Sequence, residues 1–119
     1  MGCNKNYMPT TVLYKKDAKN NFQYLVIKDH ANFAEKGRDI VCAAISAITN
    51  GAVNFLQKNY SNDCKISYLP AAISIYPSAN NSDCQLCLRL MLYQLENIAN
   101  SYPDYLKIIE ARQEKPLKT

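Results

Sequence analysis

The chain carries a single histidine, His30, and five cysteines. One of these, Cys42, follows His30 across a short polar stretch. A thiol and an imidazole can work as nucleophile and general base, because the imidazole takes the thiol proton and the thiolate attacks a carbonyl. The spacing suits that chemistry if His30 ends a strand and Cys42 opens a helix. Asp39 is a good N-cap, since its carboxylate accepts hydrogen bonds from first-turn N–H groups. Cys42 would then be the third helical residue, where free N–H groups and the helix dipole favour a thiolate. Ser46 lies one turn further on the same helix face, within reach of the thiol or the imidazole. Asp39 could orient the histidine or only cap the helix. A plainer reading stays open: a cysteine beside Ala43, Ala44 and Ile45 is often a small buried hydrophobe.

The composition is that of a globular chain. Of 119 residues, 48% are hydrophobic and 20% charged, which excludes a disordered or fibrous class. The length predicts one domain over residues 1–119, with 1–8 and 110–119 flexible. The N-terminus has no apolar stretch after its first lysine, so no signal peptide is expected. The apolar runs around 40–48 and 86–92 are interrupted by Ser46 and Arg89, and no membrane association is expected. A cytoplasmic location follows as the default, and cysteines there stay reduced. The net charge of +4 comes from 14 Lys and Arg against 10 Asp and Glu. The lysines are scattered and arginine is scarce, so direct nucleic-acid binding is not expected.

The elements that must position the pair read as follows. Thr10 to Lys15 and Phe22 to Lys28 are rich in β-branched and aromatic residues. They form a hairpin across the turn cluster Asp17 to Asn21. A loop from Asp29 to Arg38 follows. The first helix runs from Asp39 to about Lys58–Tyr60, with Val41, Ile45, Ile48, Ala52 and Phe55 at helical spacing. Cys64 to Leu69 and Ala71 to Tyr76 are short strands bent at Pro70, which cannot donate to a ladder. Ser82 or Asp83 caps a second helix to about Asn100. One line of it carries Leu86, Leu90 and Tyr93, and a neighbouring line Cys87, Met91, Leu95 and Ile98. An apolar face that wide predicts burial on two sides. Tyr105 to Ile109 reads as a last short strand, and the tail from Glu110 as loose. The order ββαββα predicts an α/β (α+β) two-layer sandwich. Two helices would lie on one face of a mostly antiparallel sheet.

The stretch HANFAEKGRDIVCAAISAI resembles the signature of the ribosomal-processing cysteine protease (Prp) family. That signature is Gly-His-Ala, a short loop with glycine, then Asp-Ile-Val-Cys-Ala-Ala-Val-Ser-Ala. The similarity extends over roughly residues 12–109 and includes Tyr102-Pro103-Asp104-Tyr105. The resemblance implies a cytoplasmic homodimeric endopeptidase that needs no cofactor. Its substrate would be the precursor of a large-subunit ribosomal protein (L-twenty-seven), from which it removes an N-terminal extension. On that footing Cys42 is the nucleophile and His30 the base, and Asp39 and Ser46 are supporting groups. The loop from Ala31 to Arg38, hinged at Gly37, would close over an extended peptide. One departure is Asp29, where the family has glycine before the histidine.

Two rival readings remain at this level. Cys84-Gln85-Leu86-Cys87 is a C-x-x-C, a redox or zinc motif in the right context, but no second pair completes a zinc site, a thiol oxidoreductase would need both cysteines exposed, and core packing is the simpler reading. A noncatalytic ribosome-associated or RNA-binding module is the alternative function. It would be marked by a sheet face both basic and aromatic.

Overall fold

The computed structural model describes residues 9–29 and 36–112, with side chains described from Ile40 onward in the second stretch. The elements are β1 (Thr10–Lys16), β2 (Phe22–Lys28), α1 (Lys36–Asn59), β3 (Cys64–Leu69), β4 (Ala72–Pro77), α2 (Ser82–Ser101) and β5 (Leu106–Glu110). They build a five-stranded sheet of order β3-β4-β2-β1-β5, with both helices packed on one face. All neighbouring strands are antiparallel except β1 and β5, which pair in parallel from Thr10↔Leu106 to Tyr14↔Glu110. This is the expected two-layer α+β arrangement. The last expected strand is present and extends through Glu110. The chain stays ordered one residue beyond it, where the Ala111 N–H donates to the Tyr14 carbonyl at 2.7 Å.

The β1–β2 turn forms because Asp17 organises it. Its carboxylate accepts from the N–H groups of Lys19 and Asn21, both at 2.9 Å. Asn20 takes the left-handed φ of 71° that asparagine tolerates. Alternation then divides the sheet. Val12, Leu25, Ile27, Ile75 and Leu106 point to the helices and are buried, while their sequence neighbours point the other way. The helices close the core with Val41, Val53 and Leu56 from α1, and Leu88, Met91 and Leu95 from α2. Each such side chain, fully buried, stabilises the fold by about 1.5–3 kcal/mol before entropy is counted.

Three expectations need correction. First, α1 begins at Lys36 and not at Asp39. Lysine and arginine are good helix formers, and the helix accepts Gly37 in its first turn. Gly37 and Arg38 are therefore in the helix and not in the loop before it. Second, the inward line of α1 runs through Val41, Ile45, Thr49, Val53 and Leu56. Phe55, one of the apolar residues at helical spacing, is 48% exposed. Third, α2 is capped by Asn81, whose side chain accepts from the Cys84 N–H at 2.9 Å, and not by Ser82 or Asp83. Its outer line, Leu86, Leu90 and Tyr93, is exposed, so within one chain α2 packs on one side. From Ile40 to Asn59, α1 is also long and apolar enough to cross a bilayer, by length and composition alone. Its inward line packs in the core.

One polar side chain sits inside that core. Gln85 is 2% exposed. Its Oε1 accepts from the Phe22 N–H at 2.7 Å, and its Nε2 donates to the carbonyls of Phe22 at 3.1 Å and Ser78 at 3.2 Å. This side chain ties the first turn of α2 to the start of β2 and to the β4–α2 loop.

Candidate active site

Cys42 is half-buried on α1 and faces a groove of about 280 Å³. One wall is α1 itself: Cys42, Ile45, Ser46, Thr49 and Asn50 recur at the three- and four-residue spacing that aligns them on one face. The opposite wall is the β3–β4 hairpin, from Tyr68 to Ile73, whose turn is made by Pro70 and Ala71. The floor holds Thr10 of β1 and Ile27 of β2, and Asp29 closes one end. Asp29 is fixed there twice. Its N–H donates to the Ala71 carbonyl at 2.9 Å, and its carboxylate accepts from the Thr10 hydroxyl at 3.4 Å.

The structure thus gathers Cys42, Ser46 and Asp29 on one groove. His30 and Ala31 lie outside the described residues, as do the side chains of Gly37, Arg38 and Asp39. The helix start changes the electrostatic picture of Cys42. Free N–H groups belong to the first four helical residues, Lys36 to Asp39, so Cys42 is in the second turn and is not the third helical residue. Its thiol does not sit at the first-turn amides, as a cap at Asp39 would have placed it.

The groove has parts that the sequence reading missed. Thr49 is 3% exposed, and its Oγ1 has no hydrogen-bond partner among the described residues. A threonine inside a helix usually bonds back to the carbonyl four residues earlier, and this one does not. Tyr68 and Leu69 are 55% and 59% exposed, two large apolar side chains offered at the rim. Pro70 marked the bend in the sequence, but nothing there told that the bend faces Cys42.

The other described thiols lie away from this groove. Cys64 and Cys84 are buried and Cys87 is half-buried. Burial pushes the Cys64 thiol up to about 12, with Cys84 and Cys87 adding to the shift. Burial raises Cys84 and Cys87 as well. Neutral thiols of this kind are poor nucleophiles. Among the described residues, no three His, Cys, Asp or Glu side chains are placed to hold a metal ion.

A half-buried thiol thus lies on a groove between a helix and a β-hairpin, open to a ligand. Comparison gives the class. Residues 8–107 match the family described as "Cysteine protease Prp". The chain is 40% identical over 93 residues to the ribosomal processing cysteine protease Prp of Mycoplasma genitalium, covering 76% of this chain and 91% of that one. It is 34% identical over 87 residues to the protein of the same name from Bacillus subtilis, covering 66% and 77%. Among solved structures it resembles the essential ribosomal processing protease Prp from S. aureus in complex with a substrate peptide. That match has a TM-score of 0.77 and 28% identity, over 86% of this chain and 99% of that one. The same S. aureus protease with a covalently linked product peptide matches with a TM-score of 0.75. The chain belongs to the Prp family of cysteine proteases.

Proposed function

We propose that this protease removes the N-terminal extension of a large-subunit ribosomal protein precursor (L-twenty-seven) in the bacterial cytoplasm. Cys42 would be the nucleophile and His30 the base. The observation that carries the reading is the place of Cys42: half-buried, on a groove whose end is formed by Asp29, the residue before His30. Of the described cysteines it alone lines this groove. The relatives are called ribosomal processing proteases, and one was solved with a substrate peptide.

In this mechanism His30 takes the thiol proton and the Cys42 sulfur attacks the scissile carbonyl. The imidazolium then protonates the leaving amine, and water releases the acyl group from sulfur. Ser46, one turn along the same wall, would hold the thiol or the substrate backbone. Asp39 would be a supporting group. Asp29, bonded to Thr10 and to the hairpin, would favour the imidazolium through its charge. An extended peptide would enter beside Tyr68 and Leu69, with the loop from Ala31 leading into α1 over it. Thr49 lines the same groove, and its buried hydroxyl has no hydrogen-bond partner among the described residues.

The homodimer that the family resemblance implies has a surface to form on. A second groove, of about 650 Å³, runs between α1 and α2, with Ala47, Gly51 and Ala52 on one side and Leu86 and Leu90 on the other. A Cβ added at Gly51 would meet nothing within 4 Å, so the groove is open there. A surface this apolar is disfavoured in water and fits a second copy.

The decisive experiment supplies the ribosomal precursor to the wild-type enzyme and to Cys42→Ser and His30→Ala variants, and follows the extension by mass spectrometry. Both variants should leave the precursor intact. Cleavage retained by Cys42→Ser refutes the assignment.

A further inference from the structure

The lysines that look scattered along the chain are gathered by strand register. On the sheet face turned away from the helices, Lys65 pairs with Tyr76 across β3 and β4, and Lys15 pairs with Tyr24 across β1 and β2. One step on from the Leu25↔Ile75 pair, Tyr24 and Tyr76 meet, with ring centroids 6.4 Å apart. These four residues form a single row across four strands: lysine, tyrosine, tyrosine, lysine. Near the other end of the same face, Lys28 pairs with Thr11, which in turn pairs with Lys107. Lys28, Lys65 and Lys107 are exposed, and Lys15 is half-buried. No strand residue pointing to this side is acidic. Glu110 has the opposite parity and bonds to the Tyr14 hydroxyl on the helix side.

We propose that this sheet face binds single-stranded nucleic acid, with bases stacked on Tyr24 and Tyr76 and the backbone phosphates held by Lys15, Lys65, Lys28 and Lys107. Every base presents a flat face that an aromatic ring can stack on, and lysines beside the rings meet the phosphates that follow each base. A second copy of this chain is a poor occupant, because a two-fold contact would set these lysines against one another. An acidic protein or lipid surface would use the lysines but leave the paired rings without a role. The inference stands on the sheet face alone. It does not depend on Cys42, which lies in the helix layer on the other side of the sheet.

The test is fluorescence anisotropy of a labelled 12-nucleotide oligouridylate and its deoxy counterpart, titrated with the full-length protein over a range of salt. Binding should weaken with salt with a log–log slope of at most about −3, the limit for four lysines on a single strand. The Tyr24→Leu/Tyr76→Leu variant should bind roughly tenfold or more weakly with the slope unchanged, since stacking carries no charge. Lys15→Gln/Lys65→Gln should lower both affinity and slope. Peptide cleavage by these variants should match wild type, which confirms that they fold. Tighter binding of the ribo-oligomer, or equal binding of both, supports the proposal and assigns the sugar preference. The proposal is overturned if neither oligomer binds at low salt, or if Lys58→Gln on α1 weakens binding as much as the face variants. Binding only to phosphatidylserine vesicles would also overturn it.

Discussion

Replacing Gln85 with leucine should destabilise the protein far more than its chemistry suggests. The side chain makes three hydrogen bonds inside the core, to the Phe22 N–H, the Phe22 carbonyl and the Ser78 carbonyl. Leucine has a similar volume, so no large cavity forms and added apolar burial returns about 1 kcal/mol. Against that, the Phe22 N–H is left buried without an acceptor, at about 1–3 kcal/mol. The two carbonyls lose less, because an oxygen has two lone pairs and Ser78 still accepts from the Asn81 N–H at 3.3 Å. The net loss is about 2–3 kcal/mol, within the range of buried-network mutations. At about 4 °C per kcal/mol for a chain of this size, Tm should fall by about 10 °C. Urea titration with an unchanged m value would confirm that stability alone has moved. Arg89→Gln, on the exposed side of the same helix and outside the α1–α2 groove, is the control and should change stability by about 0.5 kcal/mol or less. If Gln85→Leu costs no more than that control, the hydrogen bonds do not hold α2 to β2 and the reasoning fails.

Other outcomes follow from the thiols and from the helix face. In a Cys3→Ser background at pH 8, iodoacetamide should modify Cys42 first and leave Cys64 and Cys84 untouched while the fold persists. Peptide mapping reads this, and labelling of Cys64 at the rate of Cys42 would refute the burial argument. The Cys64 thiol is raised from 9.0 to about 12 in the fold, so the folded state favours its neutral form. That stabilisation is complete below about pH 9 and is lost as pH rises towards 12. Wild type should therefore lose more Tm than Cys64→Ala between pH 8 and 11. For the dimer, sedimentation at micromolar concentration should show a two-subunit species that Leu90→Asp converts to monomer. A wild-type chain that sediments as monomer throughout that range refutes the α1–α2 contact.

The sheet was legible in the sequence because alternation is a local signal: it sets Leu25 and Ile27 on one face, and both are buried, but it sets Phe22 on the opposite face with Tyr24 and Val26, whereas Phe22 is buried too, because the register shifts between Lys15 and Lys16. The helix boundaries were less so. Asp39 has the chemistry of a cap, yet Lys36, Gly37 and Arg38 continue the helix before it, since nothing in their side chains stops one. Cys42 was visible by its residue type and surroundings. Its wall of Tyr68, Leu69 and Pro70 was not, because that contact joins α1 to a hairpin some 25 residues away and depends on tertiary packing. Gln85 was hidden for a related reason. A glutamine on a helix reads as surface until its partners, Phe22 and Ser78, are brought to it by the fold. Of the apolar residues at helical spacing on α1, Val41 and Ile45 are buried but Phe55 is exposed while Leu56 is buried, because more than one apolar line runs along the helix and only the position of the sheet chooses between them.

The parallel pairing of β1 with β5 makes the groove depend on a strand far along the chain. Among the described residues β1 is the first strand in sequence, and its outer neighbour, β5, is the fifth. The Thr10 N–H is bonded to the Tyr105 carbonyl at 3.1 Å, and Thr10 also holds Asp29 and lines the groove beside Cys42. A nascent chain that already contains the hairpin, both helices and the reactive thiol still lacks the strand that anchors the groove floor. Closing that contact joins residues almost a whole chain apart, which makes it a late and slow step in folding. A chain truncated before β5 would lack the partner that holds Thr10, and with it the support of the groove floor beside Cys42.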